Sequence, residues 1–265
     1  KECMESSLKL PIQNEVTSDK GSCFTINNRA SLRSDSELVN IRKELNAGIG
    51  TINRSAIEAL ESYPAINHLV DDAKFRANQM LTVDIESQMQ RRNPTFHSHT
   101  NVLFNVAVAY CQPGDTILEI GVWRGHTPAV IHFIDPTLKY IGIDPLELIG
   151  QAEDVQNLIS NLGANYVVEQ SYSSECAFKF LHLKESIQVI HIDGAHDRGN
   201  VFNDFMLYRD LLKPKGFLIF DDYLDINHSP QVKQMVDDLK QLGYFSDFLE
   251  IGVTDSRSNY MLVRK

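Results

Sequence analysis

Residues 117–127 read I-L-E-I-G-V-W-R-G-H-T, and this stretch decides the fold of the chain. Its apolar start predicts a buried β-strand, Gly121 allows a sharp backbone turn, and a helix begins just after Gly125. A turn of this kind exposes backbone amides at the helix N-terminus, where an anion is favoured. The two glycines are not spaced as in G-x-G-x-x-G, so a dinucleotide pyrophosphate fits poorly. The stretch therefore predicts a strand–turn–helix unit with a different ligand at the end of its strand.

Beyond this unit, short apolar runs alternate with segments of helical periodicity. Such alternation is typical of βαβ units and predicts a parallel sheet. The last two runs have no long helix between them, so we expect an antiparallel hairpin at the sheet edge. The predicted strands are 116–121, 139–143, 165–168, 187–192, 217–220, 248–253 and 259–263, and the predicted helices are 126–134, 151–161, 173–184, 199–212 and 230–242.

The first part of the chain has a different texture. Residues 1–34 are polar and lack periodicity, which predicts a partly disordered segment. Residues 35–110 show helical spacing and no strand-like alternation, which predicts a helical lid or appendage. We therefore expect the α/β domain to occupy residues 111–265.

Composition limits the classes of partner. The 265 residues are 43% hydrophobic, enough for one large α/β core, and carry a net charge of −10, which argues against nucleic-acid binding. No apolar run reaches the length of a membrane span. Four scattered cysteines without a C-x-x-C pair predict reduced thiols in the cytoplasm and argue against a disulfide framework or a zinc site. We expect a small-molecule partner, no nucleic acid and no membrane, and leave a homo-oligomer open.

A second clue to the ligand lies at Asp144, where the second predicted strand ends. In a doubly wound sheet, an acidic residue at this place sits where ribose hydroxyls bind, and one carboxylate can accept from both hydroxyls. The alternative is that Asp144 only caps the next helix before Pro145.

Together, the pattern E119-I-G121-x-x-x-G125 and the acidic Asp144 resemble the cofactor site of class I S-adenosylmethionine-dependent methyltransferases, over about residues 90–265. The resemblance implies a Rossmann-like, doubly wound, seven-stranded sheet with its last strand antiparallel, and S-adenosylmethionine as cofactor. It implies Glu119, Gly121 and Gly125 near the methionine part, Asp144 at the ribose, and Gln170, Ser171 and Tyr172 near the adenine, with Arg124 and His126 as candidates for the cofactor carboxylate.

Carboxylates also follow two later strands. Asp193 ends the fourth strand, and Asp221 and Asp222 end the fifth. Neighbouring parallel strands end at the same edge, so we expect these groups to converge beside the cofactor, with Asp193 serving both sites. Bare carboxylates are costly to desolvate together, and Mg²⁺ or another hard divalent cation would neutralise them. Taken singly, Asp193 fits a turn and Asp221 fits a helix cap.

Two histidines lie close to these carboxylates. His196 follows Asp193 by three residues and could accept the proton of a metal-bound hydroxyl near neutral pH. His191 lies inside the apolar strand, which favours a packed core histidine.

The segment D193-G-A-H196, with F220-D221-D222-Y223, resembles the metal-dependent sugar O-methyltransferases of the macrocin and mycinamicin type. That resemblance implies Asp193, Asp221 and Asp222 as metal ligands and His196 as general base. It implies a hydroxyl of a sugar-containing small molecule or natural product as the acceptor.

Three other functions are weighed against this one. Catechol O-methyltransferases share the layout but have a Lys base and an Asp-Asn pair, so the second Asp here favours the sugar group. A nicotinamide-dependent oxidoreductase is disfavoured by the absent G-x-G-x-x-G. A methyltransferase-like binding module without catalysis has no need of so costly a carboxylate cluster.

Overall fold

The computed structural model describes residues 62–81, 101–252 and 259–265, together with the isolated positions 36, 39, 40, 52, 55, 57 and 59. The predicted polar segment 1–34 and much of the predicted helical region 35–110 lie outside these residues. The domain boundary at residue 110 therefore stays a prediction.

Among the described residues, seven strands form one mixed sheet with the order β3-β2-β1-β4-β5-β7-β6. The first five strands pair in parallel, whereas β7 is antiparallel to both β5 and β6. The doubly wound sheet and its edge hairpin are thus confirmed. The strands are β1 Thr116–Ile120, β2 Lys139–Asp144, β3 Tyr166–Gln170, β4 Ile187–Ile192, β5 Leu212–Asp221, β6 Phe248–Gly252 and β7 Asn259–Arg264.

In the ranges that the structure describes, two helices precede β1 and five lie between the strands, where each begins within one residue of its predicted start. They are α1 Pro64–Met80, α2 Asn101–Tyr110, α3 His126–Ile134, α4 Gln151–Leu162, α5 Ser173–Cys176, α6 Arg198–Tyr208 and α7 Pro230–Gln241. Tight 3₁₀ turns at Ala177–Leu183 and Arg209–Leu211 replace the ends of two helices that were predicted to be regular.

Strand β5 begins earlier than its apolar run. The run predicts a start at Phe217, but Leu212 already pairs with Ile187 of β4. The register then shifts before Val189 pairs with Phe217, so an irregularity separates the two parts. Residues 213–216 between the two parts are Lys, Pro, Lys and Gly, so the apolar run does not include them.

Helices cover both faces of the sheet. Ile117 of β1 shares a buried apolar cluster with Ile66 of α1 and Phe104 of α2, while the next residue, Leu118, shares a second cluster with Phe205 of α6 on the other face. Successive side chains of a strand point to opposite faces, so a strand buried on both sides is apolar throughout. The described part of the helical N-terminal region therefore belongs to one of the two helical layers.

The loops that follow β1, β2 and β4 meet at one edge of the sheet. The Gly121 amide donates to Ile143 O at 2.9 Å, and the Asp193 amide donates to Ile120 O at 2.9 Å. These bonds continue the strand pairing into the loops and place them side by side. In the part of the chain that the structure describes, no helix has both the length and the apolar character for a membrane crossing.

Candidate active site

A cleft of about 550 Å³ opens at the carboxyl ends of β1, β2 and β4, where ligands of open α/β sheets bind. Its volume lies in the range of small-molecule and cofactor sites. The residues lining the cleft include eight of those predicted from the sequence: Glu119, Gly121, His126, Asp144, Ser171, Tyr172, Asp193 and His196.

Gly121 allows the loops after β1 and β4 to touch. Its φ is +92°, a left-handed conformation that favours glycine. A Cβ at this position would lie 2.0 Å from the carbonyl oxygen of Asp193. The first glycine is therefore required by backbone contact with the residue that also carries the predicted metal ligand.

Gly125 has a different reason for being glycine. It precedes α3 with a φ of +84°, and a Cβ there would lie 2.4 Å from Leu158 Cδ2 of α4. The group that approaches Gly125 closely is thus the Leu158 side chain, whereas the sequence predicted a ligand there. Arg124 also faces α4, because its Nη1 pairs with Asp154 Oδ2 at 2.7 Å.

Of the three residues predicted near the adenine, two line the cleft and one does not. Ser171 and Tyr172 line the cleft, and the Tyr172 hydroxyl donates to Glu147 Oε1 at 2.5 Å. Gln170, at the end of β3, is exposed and does not line the cleft. Arg124, Gly125 and Gln170 thus lie outside the cleft wall.

Asp144 holds the glycine loop. One carboxylate oxygen accepts from the amides of Val122 and Trp123, each at 2.9 Å. The other accepts from the Leu146 amide at 2.7 Å and from Gln151 Nε2 at 3.3 Å. Helix α4 begins only after Gly150, so the helix-cap alternative for Asp144 is wrong. A ribose at this place would share oxygens that already shape the loop.

A buried polar row crosses the sheet beneath the cleft. The Tyr140 hydroxyl of β2 donates to Glu119 Oε2 of β1, and His191 Nδ1 of β4 contacts Glu119 Oε1 at 2.9 Å. His191 Nε2 lies 3.5 Å from Asp221 Oδ2 of β5. His191 is buried as predicted, but it contacts two carboxylates in addition to packing in the core.

The electrostatics of this row follow from its contacts. Burial by itself would lower the pKa of His191, but the adjacent Asp221 and Glu119 carboxylates outweigh it and hold that pKa well above its usual value. Burial and the same Glu119 carboxylate raise the pKa of Tyr140 well above its usual value, so the hydroxyl stays a donor.

Carboxylates gather next to this row. Ligand atoms of His191, Asp193 and Asp221 all lie within 4.8 Å of one another. Oxygen donors at this spacing fit a hard divalent cation, while an imidazole nitrogen also suits borderline metals. Asp222 lies next to them with a φ of +55°, a left-handed backbone that is uncommon for aspartate and concentrates at functional sites.

His196 stands between two of the predicted metal ligands. Its Nε2 lies 3.6 Å from Asp193 Oδ1, and its Nδ1 lies 3.5 Å from Asp222 Oδ2 and 2.9 Å from Ser229 Oγ. The Ser229 hydroxyl donates to Asp222 Oδ2 at 3.2 Å, because a carboxylate only accepts. The serine oxygen then accepts the proton of Nδ1 in a neutral ring, which leaves the lone pair on Nε2.

The carboxylates set the proton affinity of this imidazole. The contact with Asp193 raises the pKa of His196 against the opposing effect of burial, and Asp222 and Asp221 add to the rise. A cation among these carboxylates would offset their charge and lower the pKa again. The arrangement therefore makes the basicity of His196 depend on what the carboxylates hold.

Some residues of the site are missed by sequence reasoning. Thr127 is buried in the first turn of α3 and lines the cleft, and a hydroxyl at that place could have been inferred from the glycine turn. Ser229 precedes Pro230, a pairing typical of a helix start. Its side chain makes no cap bond in α7 and contacts His196 and Asp222 instead.

Asp204 of α6 lies in the cleft wall, and its burial predicts that the stability of the protein depends on pH. It is buried, accepts from the Ser173 hydroxyl, and burial raises its pKa to about 6 from 3.8. The pKa of Asp204 is higher in the folded than in the unfolded protein, so ionisation of this carboxyl destabilises the fold. The loss of stability is absent below pH 3.8, grows up to pH 6 and is complete above it. Asp204→Asn keeps the acceptor for Ser173 and should raise the free energy of unfolding at pH 8 by at most about 3 kcal/mol.

Urea unfolding at pH 5 and pH 8 measures this effect. The gain should be about half as large at pH 5 as at pH 8. The exposed Asp210, replaced by Asn, is the control and should change little at either pH. A gain from Asp204→Asn that is the same at both pH values would contradict the assignment.

The comparisons with known proteins agree with this geometry. A family model for a methyltransferase domain matches residues 118–223, from β1 to the residue that follows Asp222. The doubly wound sheet, the glycine loop and this match place the chain in the class I S-adenosylmethionine-dependent methyltransferases, to which it belongs. The cofactor of that class is S-adenosylmethionine.

A match to one relative covers more of the chain than the family model does. The uncharacterized protein R132 of Acanthamoeba polyphaga mimivirus is 32% identical over 187 residues, which cover 67% of this chain and 83% of that protein. The two proteins share a family.

Solved structures with a similar fold include those of two bacterial proteins. A putative caffeoyl-CoA O-methyltransferase of Staphylococcus aureus is 18% identical, with 93% of this chain and 100% of that chain covered and a TM-score of 0.45. A protein of Corynebacterium glutamicum is 14% identical, with 80% and 94% covered and a TM-score of 0.49. The family therefore rests on the sequence matches, because likenesses this distant carry no functional argument.

Proposed function

We propose that this methyltransferase is a metal-dependent O-methyltransferase whose acceptor is a hydroxyl of a sugar-containing small molecule or natural product. The observation that carries the proposal is the position of His196. Its two nitrogens lie 3.6 Å from Asp193 and 3.5 Å from Asp222, at the ends of neighbouring strands. A base beside paired carboxylates, at the wall of a cofactor cleft, is suited to removing a proton from an oxygen nucleophile.

The cleft fits S-adenosylmethionine in size and in its polar groups. The methionine part would lie against the loop at Gly121, which lines the cleft. The ribose would lie at Asp144, and the adenine would lie at Ser171 and Tyr172. Thr127, in the first turn of α3, is a further donor for the cofactor carboxylate.

Asp193, Asp221 and Asp222 would hold the cation. Asp221 is buried and the others are partly buried, so their charges are costly together unless a cation neutralises them. Their oxygens are the ligands that Mg²⁺ prefers. When bound, such a cation orients a coordinated hydroxyl and lowers its pKa.

The chain's own residues then carry the proton. Ser229 accepts from Nδ1 of His196 and turns the lone pair of Nε2 towards Asp193 and the cleft. An acceptor oxygen that attacked the methyl carbon would form the C–O bond as the C–S bond broke, and Nε2 would take its proton. S-adenosylhomocysteine would be the second product, and the partly exposed imidazole would return its proton to solvent.

A radiolabel assay tests the proposal. The protein is incubated with methyl-labelled S-adenosylmethionine and a panel of sugar diols and catechols, with Mg²⁺, with EDTA, and with EDTA followed by excess Mg²⁺. We expect transfer to a sugar hydroxyl that EDTA abolishes and Mg²⁺ restores.

Each other outcome removes one part of the proposal. Turnover that persists in EDTA refutes the metal, and transfer to catechols alone refutes the sugar acceptor. Calorimetric binding of S-adenosylhomocysteine without turnover of any acceptor favours a binding module.

A further inference from the structure

We propose that His191 is a positioning residue that holds the Asp221 carboxylate for the metal by tying it to Glu119 under the cofactor cleft. This inference rests on the metal-dependent function proposed above. It assigns a role to a histidine whose place in an apolar strand gives no sign of one.

Strand register brings the row together. Glu119 and His191 are direct partners in the β1–β4 pair, so their side chains share a face of the sheet. His191 is the partner of Ile219 in the β4–β5 pair, and Asp221 lies two residues further along β5 on the same face. Tyr140 is the partner of Ile117, two residues before Glu119, and shares that face too.

The row is anchored at its β2 end. Tyr140 is fully buried and donates to one oxygen of Glu119, and His191 Nδ1 contacts the other oxygen at 2.9 Å. Both oxygens of this buried carboxylate are thus engaged within the sheet. The imidazole ring is held in one orientation, with its Nε2 directed to Asp221.

The other end of the row reaches the metal site. Asp221 Oδ2 lies 3.5 Å from His191 Nε2, and Asp221 Oδ1 accepts from the Asp222 amide at 2.8 Å. Oδ1 of Asp221 is therefore held by a hydrogen bond, and Oδ2 faces the His191 imidazole. Partners of this kind fix the direction of a ligating carboxylate, and their loss typically lowers metal affinity by about 10- to 100-fold.

Packing alone does not call for a histidine here. The preceding same-face position of β4, Val189, is apolar and fully buried. His191 is the last residue of that face before Asp193, at the point where the strand passes from the core to the site. A polar ring at this point connects the cleft to the carboxylate cluster, because Glu119 lines the cleft and Asp221 belongs to the cluster.

Titration with Mn²⁺, followed by the electron paramagnetic resonance of the unbound ion, tests the role. His191→Phe keeps a flat ring without donors, and we expect it to weaken Mn²⁺ binding by about 10- to 100-fold. His191→Gln keeps a donor towards Asp221 and should recover much of that loss. Calorimetry with S-adenosylhomocysteine confirms that each variant retains the cleft.

A second variant acts at the far end of the row. Glu119→Gln leaves Asp221 and His191 in place but weakens the anchor, so we expect a smaller fall in Mn²⁺ affinity in the same direction. If His191→Phe does not fold, this variant decides the question.

Several results would overturn the assignment. Wild-type Mn²⁺ affinity in folded His191→Phe, or in Glu119→Gln, shows that the row does not position Asp221. A directly coordinated ¹⁴N in the pulsed resonance spectrum of the wild type, absent from His191→Phe, makes His191 a ligand instead. Wild-type protein that binds S-adenosylhomocysteine but not Mn²⁺ refutes the metal-dependent function itself.

Discussion

Replacing His196 with alanine is expected to lower turnover by about 10²–10⁴-fold, the usual contribution of a general base. The imidazole lies between Asp193 and Asp222, and Ser229 leaves Nε2 as the basic nitrogen. S-adenosylhomocysteine and Mn²⁺ should still bind, because Mg²⁺-type sites prefer oxygen ligands to imidazole. Activity should recover in part as pH rises, since a deprotonated hydroxyl no longer needs the base.

Turnover against pH and Mn²⁺ affinity are measured together for this variant. The exposed His182, on the 3₁₀ turn after α5, is the matched control, and its replacement by alanine should leave both unchanged. A large fall in Mn²⁺ affinity without rescue at high pH would show that His196 belongs to the metal site and is not the base.

Gly121→Ala is expected to reduce stability by about 2–5 kcal/mol and to abolish measurable cofactor binding. The new methyl group would lie 2.0 Å from the carbonyl oxygen of Asp193, a backbone atom that cannot rotate away. The left-handed φ of +92° adds conformational strain. The loops after β1 and β4 must separate, and both the cofactor cleft and Asp193 move with them.

Gly114→Ala provides the control for strain alone. Gly114 has a φ of +83°, and a Cβ there would meet nothing within 4 Å. It should lose only about 1–2 kcal/mol and keep its affinity for S-adenosylhomocysteine. Urea unfolding and calorimetry compare the two variants, and equal losses in both would show that the contact with Asp193 is not what requires glycine at residue 121.

The architecture was accessible from the sequence because its signals are local. Apolar runs of strand length, helical periodicity and the turn at Gly121 each depend on residues a few positions apart. Their alternation implies a parallel sheet, and parallel strands bring Asp193 and Asp221 to one edge without any knowledge of side-chain contacts. The order of elements and the place of the cleft follow from these facts.

Roles that depend on a distant partner were less accessible. Asp144 was expected at a ribose, but its carboxylate also binds the amides of the glycine loop. Arg124 stands beside the loop in sequence, yet its guanidinium pairs with Asp154 of α4. Neither contact can be predicted from the periodicity of the sequence, because the partners are more than 20 positions away and belong to other elements.

By itself, the sequence determined a class I methyltransferase fold and the carboxylates at the ends of its strands, since both follow from patterns of residues a few positions apart. Only the tertiary structure decided which side chains act together. His191 reads as a core histidine until strand register places it between Glu119 and Asp221. Ser229 reads as a helix cap until the loop after β5 carries it to His196. Hydrogen bonds between strands and loops depend on distances in space, and a chain's local pattern does not contain those distances.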